Sequence, residues 1–83
     1  GLYQYQPNPF GEQTIIGFSL PEACTASLVI YDLSGRTVKV IDGEYSQGYQ
    51  EIRIDRSTLP ASGLLYYQLQ SPFGSVTKKM LVQ

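Results

Sequence analysis

The chain has 83 residues, six basic and seven acidic, for a net charge of −1 at neutral pH. A domain this small buries roughly 60–65 % of the surface its unfolded form exposes, enough for one modest core. The balanced charge leaves no footprint for nucleic acid or anionic lipid, and no run approaches the ~20 apolar residues of a membrane span, so neither nucleic acid nor direct membrane insertion is expected.

Seven Tyr and three Phe, against one Met and no Trp, suit a β-rich chain. No secretory signal peptide is visible, so if the domain is exported, its export address is expected elsewhere or to have been removed. Near the start of the chain stands "QPNPF", Gln6 to Phe10. Pro7 and Pro9 fix φ, lack an N–H and push Gln6 and Asn8 toward extended geometry, which excludes a helix and disfavours a strand. Residues 1–12 therefore read as a linker and N-terminal cap, and 13–83 as the folded domain.

Strand-like runs then alternate with turn clusters. "TIIGFSL" puts Ile16, Phe18 and Leu20 on one face at period two, and "PEAC" breaks it. In "ASLVIYDL", Ala26, Leu28 and Ile30 face inward. "YDLSGR" is a hairpin turn in which Asp32 can bond turn amides, Gly35 can take positive φ and Arg36 starts the return strand. In "TVKVI", Val38 and Val40 are expected on one side with Lys39 on the other, and "DGEYSQGY" reads as a long turn. "YQEIRID" has Ile52 and Ile54 inward with Glu51, Arg53 and Asp55 opposite. "STLPASG" is a connection with one short extended piece around Leu59. "LLYYQLQ", the turn "SPFG" and "SVTKKMLVQ" complete the chain. Turn signals every eight to twelve residues and no lasting helical period predict an all-β fold, a small Ig-like antiparallel β-sandwich of about seven strands. Ile16, Phe18, Leu28, Ile30, Val38, Ile52, Leu65 and Leu69 are its expected core.

The chemical inventory is thin. The chain has no His, the commonest general base and zinc ligand, and its one Cys, Cys24, reads as a buried thiol at a strand entrance rather than a dimer link. Serines and strand lysines show no nucleophile–base pairing. Glu51 and Asp55 share a face with Arg53 between them, which favours charge compensation over acid–base work. Asp32, Asp42 and Asp55 lack the dense spacing of a calcium loop, and no Gly-rich phosphate loop occurs. No enzyme, no metal and no cofactor is expected. The closing "TKKMLVQ" is the odd piece: Met80 and Val82 fall on one face with Lys78, while Leu81 falls on the other with Lys79. Such an edge strand is either guarded by its lysines or open to strand pairing, self-association included.

Taken in order, "YQPNPF", "TIIGFSLPE", "LVIYDLSGRTVKVI", "GEYSQGYQEIRID", "LPASGLLYYQL" and "TKKMLVQ" resemble the motifs of the C-terminal sorting domain of type IX secretion cargo, the Por secretion tail (type A) of Bacteroidota. The resemblance spans nearly the whole chain. It departs at Ile54, where the family often has Trp, at Leu65, where Tyr is frequent, and at Gln83, where Lys or Arg is common. It implies a tail that directs a fused N-terminal passenger through the periplasm and the outer-membrane translocon to the cell surface or medium. In many members a sortase-like surface peptidase then removes the tail and the passenger is anchored. The positions matching the family's sorting motifs are Gly63, Leu64, Lys78, Lys79, Met80, Leu81 and Val82. Pro7, Asn8, Pro9 and Phe10 match the linker on the cleavage side, with Phe10 tucked over the sandwich edge. The competing reading is an Ig-like interaction module of the hook-capping or carbohydrate-binding kind, whose sugar-stacking face would draw on Tyr45, Tyr49, Tyr66 and Tyr67.

Overall fold

The computed structural model describes residues 1–7, 11–59 and 63–83. Six strands follow one another: β1 (Gln13–Leu20), β2 (Cys24–Tyr31), β3 (Thr37–Tyr45), β4 (Gly48–Asp55), β5 (Gly63–Ser71) and β6 (Gly74–Val82). They form two antiparallel sheets, β1–β4 and β3–β2–β5–β6. This is the all-β sandwich that the alternating sequence predicts, with six strands rather than seven. The connection after β4 opens with a 3₁₀ turn, Arg56–Thr58, and Leu59 beyond it is extended, at φ −105° and ψ 144°, and buried. The chain changes sheet at Pro21–Ala23, at Ser46–Gln47 and after β4, so each corner brings apolar strand faces together.

The core is the sum of the period-two faces. Ile16, Phe18 and Leu20 of β1 and Ile52 and Ile54 of β4 meet Ala26, Leu28 and Ile30 of β2 and Leu65, Tyr67 and Leu69 of β5. Met80 and Val82 of β6 are buried with them. The small sheet is widened by residues 1–6, which run antiparallel to β1. Tyr3 N–H donates to Gly17 O, Gln6 N–H to Ile15 O, Ile15 N–H to Gln6 O, and Ser19 N–H to Gly1 O. The bridges Leu2↔Phe18 and Gln6↔Ile15 differ by one residue in register, so the alternation slips between them. That slip is why Leu2 and Tyr5, three apart, both enter the core. Pro7 follows in an exposed bend.

Two readings of β3 are overturned. The stretch "DGEY" is not turn but strand: β3 pairs with β2 as far as Cys24↔Tyr45. The turn shrinks to Ser46 and Gln47, and Gly48 enters β4 at φ 100°. Asp42 and Gly43 carry turn chemistry, yet the cross-strand Ser27–Asp42 hydrogen bond and the edge-to-face packing of Tyr45 on Phe18 (centroids 5.0 Å apart) keep this segment extended. Second, Val38 and Val40 do not share a face. A register shift opposite Ile30–Tyr31 makes Val38 the extra residue, half-buried against the core, and turns Val40 outward at 52 % exposure.

Candidate functional site

β6 splits the sorting-motif positions between two surfaces. Its register with β5 pairs Leu65 with Met80 and Gly63 with Val82, and it pairs Leu64 with Leu81 and Tyr66 with Lys79. Met80 and Val82 are almost fully buried, so they hold the sandwich together and offer a partner nothing. Lys78 lies half-buried on that inner side. Leu64 (38 % exposed) and Leu81 (44 %) stand next to each other on the outer face of the large sheet. One step along, Lys79 is exposed beside Tyr66, and Tyr66 stacks on Tyr31 with centroids 5.5 Å apart and planes 26° from parallel. Gly63, at φ 119°, lets the chain swing into β5 without steric cost. The patch thus joins two leucines, a tyrosine pair and one cation.

The outer edge of β6 is strapped over its last residues. Leu81 N–H donates to the Tyr5 hydroxyl at 2.6 Å, and that hydroxyl donates back to Leu81 O at 3.4 Å. Gln4 Nε2 donates to Lys79 O at 3.1 Å, and Arg56 Nε to Gln83 O at 2.9 Å. These donors come from the side of the small sheet, so the straps close one flank of the sandwich. The strap itself is pinned inside: the Tyr67 hydroxyl accepts from Tyr5 N–H at 3.0 Å and donates to Tyr3 O at 2.9 Å. Burial pushes the Tyr67 phenol above the usual tyrosine pKa, so it remains a donor. Further back, at Ser75 and Thr77, no such strap lies on the edge among the described residues.

The β2–β3 turn is built by one carboxylate. Asp32 Oδ1 accepts from Ser34 N–H (2.9 Å), Ser34 Oγ (2.6 Å) and Arg36 N–H (3.0 Å), and Arg36 Nε sits 3.3 Å from Oδ2. Gly35 takes φ 89°. The Ser34 hydroxyl first, helped by the Arg36 and Ser34 amides and the Arg36 charge, holds the Asp32 pKa below its ordinary 3.8 against an opposing desolvation that outweighs either amide alone. Asp42 and Asp55 lie far off in sequence and bond elsewhere, to Ser27 and Gln13. Among the described residues no three metal-ligating side chains gather. Cys24 is half-buried at the start of β2 against the core. Asn8, Pro9 and Phe10 lie outside the described residues, as does Ser62.

Sequence reasoning missed the Tyr5–Tyr67 pairing. Tyr67 was readable as inward from the β5 alternation, but Tyr5 sits before the prolines, in a segment whose strand partner the sequence does not announce.

One end of the large sheet thus presents exposed apolar side chains beside Lys79. The sequence matches the family described as the secretion system C-terminal sorting domain over residues 4–83, and the chain belongs to that family, the C-terminal sorting domains of type IX secretion cargo. Comparison with curated proteins and with solved structures gives no match. Membership makes the chain a type IX sorting signal, with export across the outer membrane as its consequence and a passenger and the secretion system as its associates. The family is not an enzyme family.

Proposed function

We propose that the secretion machinery reads this domain on the outer face of the β3–β2–β5–β6 sheet, at the end formed by Leu64, Leu81, Tyr66 and Lys79. The observation that carries this reading is the split of β6: Met80 and Val82 are spent on the core, while Leu81 and Lys79 are turned to solvent with Leu64 alongside. Half-exposed leucines paired across two strands contribute less to the fold than the buried Met80 and Val82, and apolar side chains with a cation beside them suit a docking patch. Gly63 shapes the approach to this patch, and the Asp32–Gly35–Arg36 turn fixes the neighbouring end of the sheet. A sortase-like peptidase acts on the passenger side, at Pro7–Phe10, and the passenger is then anchored at the surface or released.

The test fuses a fluorescent passenger with an inner-membrane export signal to residues 1–83 in a bacterium with a working type IX system. A Leu64→Ser/Leu81→Ser double variant and Lys79→Glu are compared with the parent. Retention of folded variants in the periplasm supports the reading; sorting of the double variant as efficiently as the parent refutes it. Deleting the last strand would be uninformative, because it removes Met80 and Val82 as well.

A further inference from the structure

The opposite face of the sandwich carries an open groove. We propose that the groove between Tyr3 and Tyr49, on the outer face of the small sheet, binds a single neutral hexopyranose ring, of the β-glucoside type whose ring hydrogens are axial on both faces.

The groove is built by a missing side chain. A Cβ at Gly17 would lie 2.3 Å from the Tyr49 hydroxyl oxygen and 2.9 Å from two ring carbons, so only glycine lets this ring lie down across β1. The Tyr49 hydroxyl donates to Glu51 Oε2 at 3.1 Å, which fixes the ring in place. Partial desolvation and the Glu51 carboxylate both keep that phenol protonated. Tyr3 forms the second wall, its ring centroid 5.8 Å away and its plane inclined by 54°. Its hydroxyl lies 3.3 Å from Ser19 Oγ and its backbone N–H is bonded to Gly17 O. Both rings are tethered by their polar ends while about half of each side chain stays in water (50 % and 57 % exposed). The contrast with Tyr31 and Tyr66 is instructive: those two stack on each other and so cover the faces a ligand would need.

Chemistry selects the ligand. The cavity is about 330 Å³, at the lower end of the range for small-molecule pockets, which fits one ring rather than a chain. The electron-rich face of a tyrosine attracts the polarised C–H face of a sugar, where a flat array of axial hydrogens makes the largest contact. Gln6 and Glu51 line the same groove and supply an amide and a carboxylate acceptor for hydroxyl groups, while Gln4, also on its wall, has its amide bonded to Lys79 O. No Lys or Arg is among the described lining residues, and Arg53, next along the same face, is hydrogen-bonded to Gln13 Oε1, so a phosphate or carboxylate ligand would meet Glu51 with no cation in the groove itself. The site lies on the sheet opposite Leu64 and Leu81, and it stands or falls independently of the export reading.

Two-dimensional amide NMR on the ¹⁵N-labelled 83-residue chain tests it, with methyl β-glucopyranoside and cellobiose added to about 50 mM, since a single-ring site of this size is expected in the millimolar range. Sorbitol at the same concentration controls for general solvent effects. Saturable shifts confined to Gly17, Ser19, Tyr49 and Glu51, and weakened at least tenfold in both Tyr49→Ala and Gly17→Ala, are the expected result. Tyr66→Ala should bind like the parent. Should Tyr49→Ala lose its native spectrum, Gly17→Ala and Glu51→Ala carry the comparison, since each alters the groove from the other side. No saturable shift with either sugar overturns the proposal. So do shifts reproduced by sorbitol, or shifts that survive in every folded groove variant.

Discussion

At the β2–β3 turn the Asp32 carboxylate accepts from two backbone amides and a hydroxyl and faces the Arg36 guanidinium, all within five residues. Each of these bonds favours the charged carboxylate, and together they outweigh the desolvation that opposes it, so its pKa lies below 3.8 when folded. A depressed carboxylate pKa stabilises the native state above the unfolded value and loses that contribution as pH falls through the folded one. Asp32→Asn should therefore lower the melting temperature at pH 7, and the gap to the parent should close as the pH is taken from about 5 to below 3.8. Thermal melts across that range check it, and a gap that stays constant with pH would show that the turn does not depend on the charge. The turn residues were legible in "YDLSGR" because every bond they make is local. Tyr67 was not: its hydroxyl bonds Tyr5 and Tyr3, more than sixty residues away, and no spacing rule reaches that far.

Elements show the same division between local and distant causes. The faces of β1, β2, β4 and β5 follow from period-two alternation, which one buried side dictates. β3 was misread because a single extra residue, Val38, inverts the alternation around it, and a bulge of this sort leaves no mark in composition. For β6 the open question concerned its unpaired edge. Charged edge residues guard against pairing, but a satisfied backbone is the stronger barrier, since a group already bonded has nothing to offer a new strand. Lys79 O, Leu81 N–H and Leu81 O are occupied by Gln4 and Tyr5, and Gln83 O by Arg56. Strand addition is therefore disfavoured at Lys79–Gln83 and open at Ser75–Thr77. Hydrogen exchange distinguishes the two halves: the Leu81 amide should exchange more slowly than Thr77. Tyr5→Phe should erase that difference, with a stability loss of about 1–3 kcal/mol for the orphaned Leu81 amide. Equal exchange at both positions in the parent protein would remove the strap from the account.

Across the whole molecule, one nine-residue strand serves two ends at once. Alternation assigns Met80 and Val82 to the core and Lys79 and Leu81 to the solvent, so the fold and the proposed address are interleaved at single-residue spacing. The sequence showed both sets of residues. Without the register against β5 it could not show that, of the sorting-motif positions, Leu64, Lys79 and Leu81 share an outer surface with Tyr66. The consequence is that loss of export has two separable origins. Met80→Ala removes a fully buried side chain and should cost about 2–5 kcal/mol, a large fraction of the roughly 4–12 kcal/mol available to a domain of this length. At about 4–8 °C per kcal/mol, its melting temperature should fall by about 8 °C or more. Leu81→Ser, on a half-exposed side chain, should shift melting by no more than about 4 °C. In the secretion assay, growth at lower temperature should restore sorting to Met80→Ala, by refilling the folded population, and leave Leu81→Ser defective. If cooling restores both, Leu81 acts through stability and the outer face is not what the translocon reads. If cooling restores neither while Met80→Ala is folded by its melting curve, the inner side of β6 takes part in recognition, and the strand must open before it is read.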